Sequence, residues 1–178
     1  TGGGSGIIVA MSPRFRSSAA TGLWLLMVLA ATQSAVDGQE TRSWIGHLLH
    51  EHPKTRLVAL VLPGSHDAGS YAIDRSSRAA PGAPPIYARF GSVAAGWAKT
   101  QEQNLEQQLK GGIRYLDLRV ARSEGELVLF HGLVSCGLKE ALAGVARFAR
   151  QNPREFVLLD MQAMPPAAAH EELDKLLQ

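Results

Sequence analysis

The sequence predicts an α/β chain built on a mainly parallel sheet, and two observations carry that expectation. Apolar runs of six to eight residues alternate with stretches of helical spacing, and strand–helix alternation is the pattern of a parallel sheet covered by helices. Polar side chains also stand where the runs end: His66 and Asp67, Arg119, His131 and Asp160. In barrels of alternating strands and helices, the carboxyl ends of the strands hold the active site.

The N-terminal stretch is expected to lie outside the fold. Residues 1–10, "TGGGSGIIVA", precede a better start at Met11 and read as translated upstream sequence. Residues 11–38 have a basic flank (Arg14, Arg16), an apolar core from Gly22 to Ala31 and small residues after it. That is the layout of a secretory signal peptide, with about half the roughly 20 apolar residues of a membrane span. A retained anchor or a buried helix is the alternative. The folded part is then 39–178, in a secreted, extracellular protein. The helical pattern at "EELDKLLQ" has no cap, so the chain reads as open at its C-terminus.

Composition excludes several classes. With 46% hydrophobic and 19% charged residues the chain suits one globular domain. A net charge of +2 without any Lys/Arg run argues against nucleic acid as a partner. Cys136 is the single cysteine, which rules out a disulfide framework within the chain.

In chain order, His47, His50 and His52 lie in "HLLHEH"; without an HExxH pattern this reads as a solvated amphipathic segment. "RLVALVL", Arg56 to Leu62, predicts a buried strand ended by Pro63-Gly64. Asp74 to Ile86 is rich in Pro, Ser, Gly and Ala and predicts a loop. Thr100 with Gln103 fits a capping box, and Gly111-Gly112 a helix stop. Ile113 to Val120 predicts a strand with Ile113, Tyr115, Asp117 and Arg119 on one face and Arg114, Leu116, Leu118 and Val120 on the other. The six residues before Leu127–Gly132 are too few for a parallel crossover, so a hairpin turning near Glu124-Gly125 is expected. It brings His131 level with residues 117–119, on a face set by the register. Leu138, Ala141, Leu142, Val145, Phe148 and Ala149 mark a helix stopped by Asn152-Pro153. Glu155 to Asp160 predicts another buried strand, and Pro165-Pro166 opens a last helix.

Ser65, His66 and Asp67 are adjacent, which invites a Ser-His-Asp reading. Neighbours on an extended chain point to opposite faces, and Ser65 lacks a G-x-S-x-G elbow, so a triad is not expected. His66 and Asp67 should then serve different partners. Two histidines, two aspartates and an arginine on one rim suit phosphodiester cleavage. One histidine takes a proton and the other gives one, while the Arg119 fork meets the phosphate. The plainer alternatives are hydrogen-bonded surface histidines, a structural Asp117–Arg119 ion pair, and Asp160 as a helix cap.

Four blocks carry a resemblance: "LVLPGSHDAGSYAI", "QNLEQQLKGGIRYLDLRV", "LVLFHG" and "ALAGVARFARQNPREFVLLDMQ". In that order they resemble the phosphatidylinositol-specific phospholipase C X domain, most closely its small X-domain-containing and bacterial members, over roughly residues 42–165. The resemblance implies a distorted TIM barrel. It implies His66 as base for the inositol 2-hydroxyl, and His131 as acid for the diacylglycerol oxygen with Asp67 as its carboxylate. Arg119 would stabilise the phosphate, with Asp117 beside it. Calcium-dependent relatives and glycerophosphodiesterases place an E-x-D metal pair where this chain has Asp117-Leu118-Arg119, so no cofactor and no calcium are expected. Bacterial members have a lysine near the position of Gln162 or Ala163, which bears on headgroup choice. The implied partner is a phospholipid at a membrane surface; the alternatives are a secreted headgroup binder and a glycerophosphodiesterase-like hydrolase. A barrel takes roughly 250 residues, so 39–178 is expected to supply roughly its N-terminal half, and to be unstable or inactive alone.

Overall fold

The computed structural model describes residues 6–11, 40–162 and 168–177. The signal-peptide reading falls on residues outside these, apart from Met11. The chain runs β1 (Gly6–Met11), α1 (Glu40–Glu51), β2 (Gly64–Ser65), α2 (Pro85–Ala98), α3 (Leu105–Lys110), β3 (Tyr115–Ser123), β4 (Glu126–His131), β5 (Leu133–Gly137), α4 (Leu138–Gln151), β6 (Phe156–Gln162) and α5 (Ala168–Leu177). The sheet order is β1-β6-β3-β4-β5, with β2 also on β3. The β1, β6, β3 and β2 pairings are parallel; β3–β4 and β4–β5 are antiparallel. The sheet with its helices is a partial α/β barrel.

The hairpin between β3 and β4 follows the expected turn. Glu124 and Gly125 both have positive φ, 52° and 87°, as a two-residue turn matched to strand twist requires. Val120 pairs with Leu129 and Ser123 with Glu126; continuing that register puts His131 opposite Leu118. One face of β3, Leu116, Leu118 and Val120, packs against Leu105 and Leu109 of α3, Val145 and Phe148 of α4 and Leu159 of β6 in the main core. The other face, Tyr115, Asp117 and Arg119, runs beside Leu158, Asp160 and Gln162 of β6.

Three expectations are corrected. Arg56–Leu62 is not a strand: only Gly64–Ser65 pair, and Val58 and Val61 are 82% and 93% exposed. Strand β3 begins at Tyr115, and the Pro63 carbonyl already accepts from Arg114 N and Tyr115 N. The run before Pro63 therefore extends past the only edge β3 offers it. The capping box sits four residues later than expected. Asn104 Oδ1 accepts from Gln107 N (2.9 Å), and Gln107 Oε1 from Asn104 N (3.0 Å). Thr100 is instead drawn to Ser70. Finally, Gly6–Met11 is not outside the sheet: it pairs in parallel with β6, Gly6 with Phe156 through Met11 with Met161. A β-branched segment satisfies the edge of β6 that β3 leaves open.

At the amino ends of β3 and β6 lies a buried ion pair. Arg114 Nε and Nη2 reach Glu155 Oε2 at 2.8 and 2.7 Å. The guanidinium also donates to the carbonyls of Leu109 and Arg42 and stacks on Phe148. Glu155 accepts from the backbone N–H of Gly46 at 2.7 Å. The pair therefore anchors α1 to the strands. Burial pushes the Arg114 guanidinium below its ordinary range, with Glu155 opposing the shift.

The turn after His66 and Asp67, Ala68–Ala72, packs directly on β4. A Cβ on Gly69 would lie 2.7 Å from Leu129 Cδ1 and 2.9 Å from Leu129 Cβ. Gly69→Ala is expected to cost about 1–3 kcal/mol by overpacking, read as a lowered denaturation midpoint. An unchanged midpoint would mean that β4 yields more readily than its packing implies.

Candidate active site

The five residues singled out in the sequence converge. His66 and Asp67 follow β2, Asp117 and Arg119 lie on β3, and His131 ends β4. Asp67 is at the centre, almost wholly buried. Its Oδ2 lies 2.9 Å from His66 Nδ1 and 3.3 Å from His131 Nε2, and its Oδ1 lies 2.5 Å from Arg119 Nε. The Asp67 backbone N–H donates to Asp117 Oδ2 at 3.2 Å.

This corrects the expectation that His66 and Asp67 serve different partners, because they touch each other. The reason is local. Asp67 is left-handed, φ 47° and ψ 44°, so the chain is not extended there and consecutive side chains turn to one side. Asp is among the few non-glycine residues that tolerate this region. Asp67 does also face His131, as the resemblance implied.

The two histidines are held differently. Nδ1 of His131 meets the carbonyl of Ala98 at 2.9 Å. A carbonyl only accepts, so Nδ1 carries a proton, and Nε2 faces the Asp67 carboxylate. Both ring nitrogens thus lie against acceptor-only groups. His66 differs: Nδ1 faces Asp67, but Nε2 lies 3.3 Å from Arg119 Nη2, which can only donate. The same Nε2 lies 3.7 Å from Asp117 Oδ2; with the proton on Nδ1 toward Asp67, Nε2 is the nitrogen left to accept. Exposure separates them too, at 74% for the His66 side chain and 27% for His131.

Several polar atoms here are buried without an aligned hydrogen bond: both Asp67 carboxylate oxygens, Asp117 Oδ1 and Arg119 Nε. The Asp67 contacts are ion pairs by distance rather than well-directed hydrogen bonds. Unsatisfied buried groups are rare in proteins and call for a functional reason. Among the described residues, His66, Asp67 and Asp117 are the group whose ligand atoms could surround a metal ion, within 4.8 Å of one another. Arg119 already places its cation against two of them, Asp67 at 2.5 Å and Asp117 at 3.7 Å.

Asp160 is not a free helix cap. It accepts from Tyr115 Oη and from Gln162 Nε2 (2.9 Å), beside Asp117 in register. Burial, then the Asp160 contact, pushes the Tyr115 phenol up to about 12, so it stays a donor. His47 and His50 are exposed on α1, away from these groups. The sequence reading missed α2 altogether. Its signal was present: Ile86, Phe90, Val93 and Trp97 recur at helical spacing. It also missed β5, which follows β4 through Gly132 at φ 70°. There the Tyr87 ring of α2 lies where a Cβ on residue 132 would sit.

No protein-family model matches the chain. It is 36% identical over 132 residues to a zebrafish (Danio rerio) PI-PLC X domain-containing protein 3, and 33% identical over 130 residues to the human PI-PLC X domain-containing protein 2, each match covering 66% of the chain. The chain belongs to the PI-PLC X-domain family. It spans 40% and 42% of the lengths of these two relatives. Among solved structures, the phosphatidylinositol-specific phospholipase C of Listeria monocytogenes aligns with a TM-score of 0.55 at 24% identity, over 77% of this chain and 44% of that one. A Staphylococcus aureus phosphatidylinositol-specific phospholipase C aligns with a TM-score of 0.54 at 22% identity, over 78% and 43%. These two likenesses concern the fold. In this X-domain chain the His66–Asp67–Asp117–Arg119–His131 cluster gathers just past β2, along the first half of β3 and at the end of β4.

Proposed function

We propose that this protein cleaves phosphatidylinositol-type lipids by acid–base catalysis between two histidines, with Arg119 supplying the positive charge at phosphorus. The observation that carries this is the unlike surroundings of the two rings: the Arg119 guanidinium lies against His66 Nε2, whereas the Ala98 carbonyl and the Asp67 carboxylate face the two nitrogens of His131.

His66 Nε2 takes the proton of the inositol 2-hydroxyl as that oxygen forms a bond to phosphorus. The bond from phosphorus to the diacylglycerol oxygen breaks, and His131 gives that oxygen its proton. The products are diacylglycerol and a cyclic inositol phosphate. Arg119 Nη2 now rests against His66 Nε2; a substrate phosphate is the stronger acceptor, and drawing Arg119 to it frees the base. Asp67 supports the cationic forms of His66 and His131 and holds Arg119 in place, as a carboxylate behind a histidine does.

The reaction is proposed to need no calcium. Arg119 holds the carboxylates that an ion would need, and a guanidinium this close opposes a second cation. The same feature disfavours a glycerophosphodiesterase-like reaction.

A membrane surface is the proposed setting, with secretion as the proposed route to it. Ile86, Phe90, Val93 and Trp97 are large, 50–69% exposed and spaced 4, 3 and 4 residues apart on α2. They stand exposed along α2, which bends at Phe90 (φ −130°, ψ 29°), and the last carbonyl of this helix holds His131. An aromatic-bearing apolar face of this kind seats in the headgroup boundary of a bilayer. Among the described residues no helix is long and apolar enough to cross a membrane.

The test is release of diacylglycerol from phosphatidylinositol vesicles by the full-length protein in excess EDTA. Undiminished release is expected. Activity lost on chelation and restored by calcium contradicts the metal-free reading. Vesicle binding without product from any phospholipid would leave the alternative, a headgroup-binding protein that keeps the fold without turnover.

A further inference from the structure

The segment that leaves α2 touches both histidines. Ala98 accepts from His131 Nδ1 at 2.9 Å. Two residues on, Thr100 N donates to Ser70 Oγ at 3.0 Å, and Thr100 Oγ1 lies 2.8 Å from Ser70 Oγ and donates to the Asp67 carbonyl at 3.4 Å. Gln101 Nε2 then donates to the His66 carbonyl at 3.0 Å. Three residues within one four-residue stretch thus grip the ring of one histidine and the backbone beneath the other.

That grip answers two needs of the site. The His66 side chain is largely exposed, so packing does not fix it. Asp67 sits in the left-handed region, which persists only where its surroundings over-determine it. Bonds to the carbonyls of residues 66 and 67 supply that constraint from outside the turn.

From this we infer that Gln101 and Thr100 are positioning residues, and that residues 98–101 form a clasp setting the alignment of base against acid. The inference rests on the roles proposed for His66 and His131. Neither Gln101 nor Thr100 reaches the reacting atoms; each acts through the backbone of the turn. Small misplacements of catalytic groups cost up to about 100-fold, and loss of one of these bonds is expected to cost about tenfold in kcat.

The test compares Gln101→Met, Thr100→Val and Thr100→Ser in the full-length protein. Gln101→Met and Thr100→Val keep shape and remove the donor. Both should lower kcat on phosphatidylinositol about tenfold with KM within about twofold, while Thr100→Ser should stay near wild type. Imidazole nitrogen NMR of the same proteins supplies a readout that needs no turnover. In Gln101→Met the His66 ring signals should shift while the melting temperature holds. Wild-type kcat in Gln101→Met, or a fall in kcat with unshifted His66 signals, would overturn the clasp. Shifted signals in a protein that turns over no phospholipid would support the clasp and sink the phospholipase reading instead.

Discussion

His66→Ala and His131→Ala are each expected to lower kcat for phosphatidylinositol by about 10²–10⁴-fold, the range that a positioned acid or base supplies. The two variants should part on a substrate with a low-pKa leaving group. Such a group departs without a proton, so it relieves His131→Ala, whose loss is the acid. It does nothing for His66→Ala, where the attacking hydroxyl is never activated. The assignment comes from what the rings face: His66 Nε2 meets an Arg119 N–H, and His131 Nδ1 meets the Ala98 carbonyl. Equal rescue of both variants would show that these contacts do not set the roles. The losses should not add in the double variant, because acid and base act on one step.

The largest stability effect is expected at Arg114→Met. Removing one partner of a buried pair leaves the other charged and unpaired, which costs about 3–5 kcal/mol. Glu155, 3% exposed, would keep the Gly46 N–H but lose its cation. The carbonyls of Leu109 and Arg42 would lose a donor as well. Arg114→Lys should recover only part of this, since an ammonium cannot reproduce a planar fork that serves Glu155 and four carbonyls together. Denaturant unfolding of the full-length protein measures it. A loss below about 1 kcal/mol would mean that water reaches Glu155 once the guanidinium is gone.

The parts of the fold legible in the sequence are those fixed by local pattern. Glu124-Gly125 between two β runs specified a tight turn, and the hairpin forms there. The spacing of Leu138 to Ala149 specified α4, which ends at Asn152 with its side-chain amide donating to Phe148. The failures depended on partners distant in sequence. Arg56–Leu62 has the composition of a buried strand, yet pairing requires an edge, and β3 offers one only from Tyr115 onward. Arg114 was placed on the apolar face of β3, but nothing near it in sequence announced Glu155 as its partner.

The site was legible as a set of residues and misread in its wiring. Strand-end positions pointed to His66, Asp67, Arg119 and His131, and to Asp160, while Asp117 was found by its place two residues from Arg119 on one strand face. The left-handed turn at Asp67 could not be read, because its stability comes from Thr100 and Gln101 more than thirty residues away. Helix α2 was overlooked beside the loop-like composition of Asp74–Ile86, although its apolar spacing was in plain view.

The fate of phosphorus separates attack by the inositol hydroxyl from attack by water. The measurement is phosphorus NMR of phosphatidylinositol and other phospholipids incubated with the full-length protein and no metal. A transient signal of a cyclic inositol phosphate is expected from phosphatidylinositol, because attack by the inositol hydroxyl precedes attack by water. Direct appearance of an acyclic phosphate with no cyclic intermediate, or no product from any lipid while vesicles are bound, would contradict it.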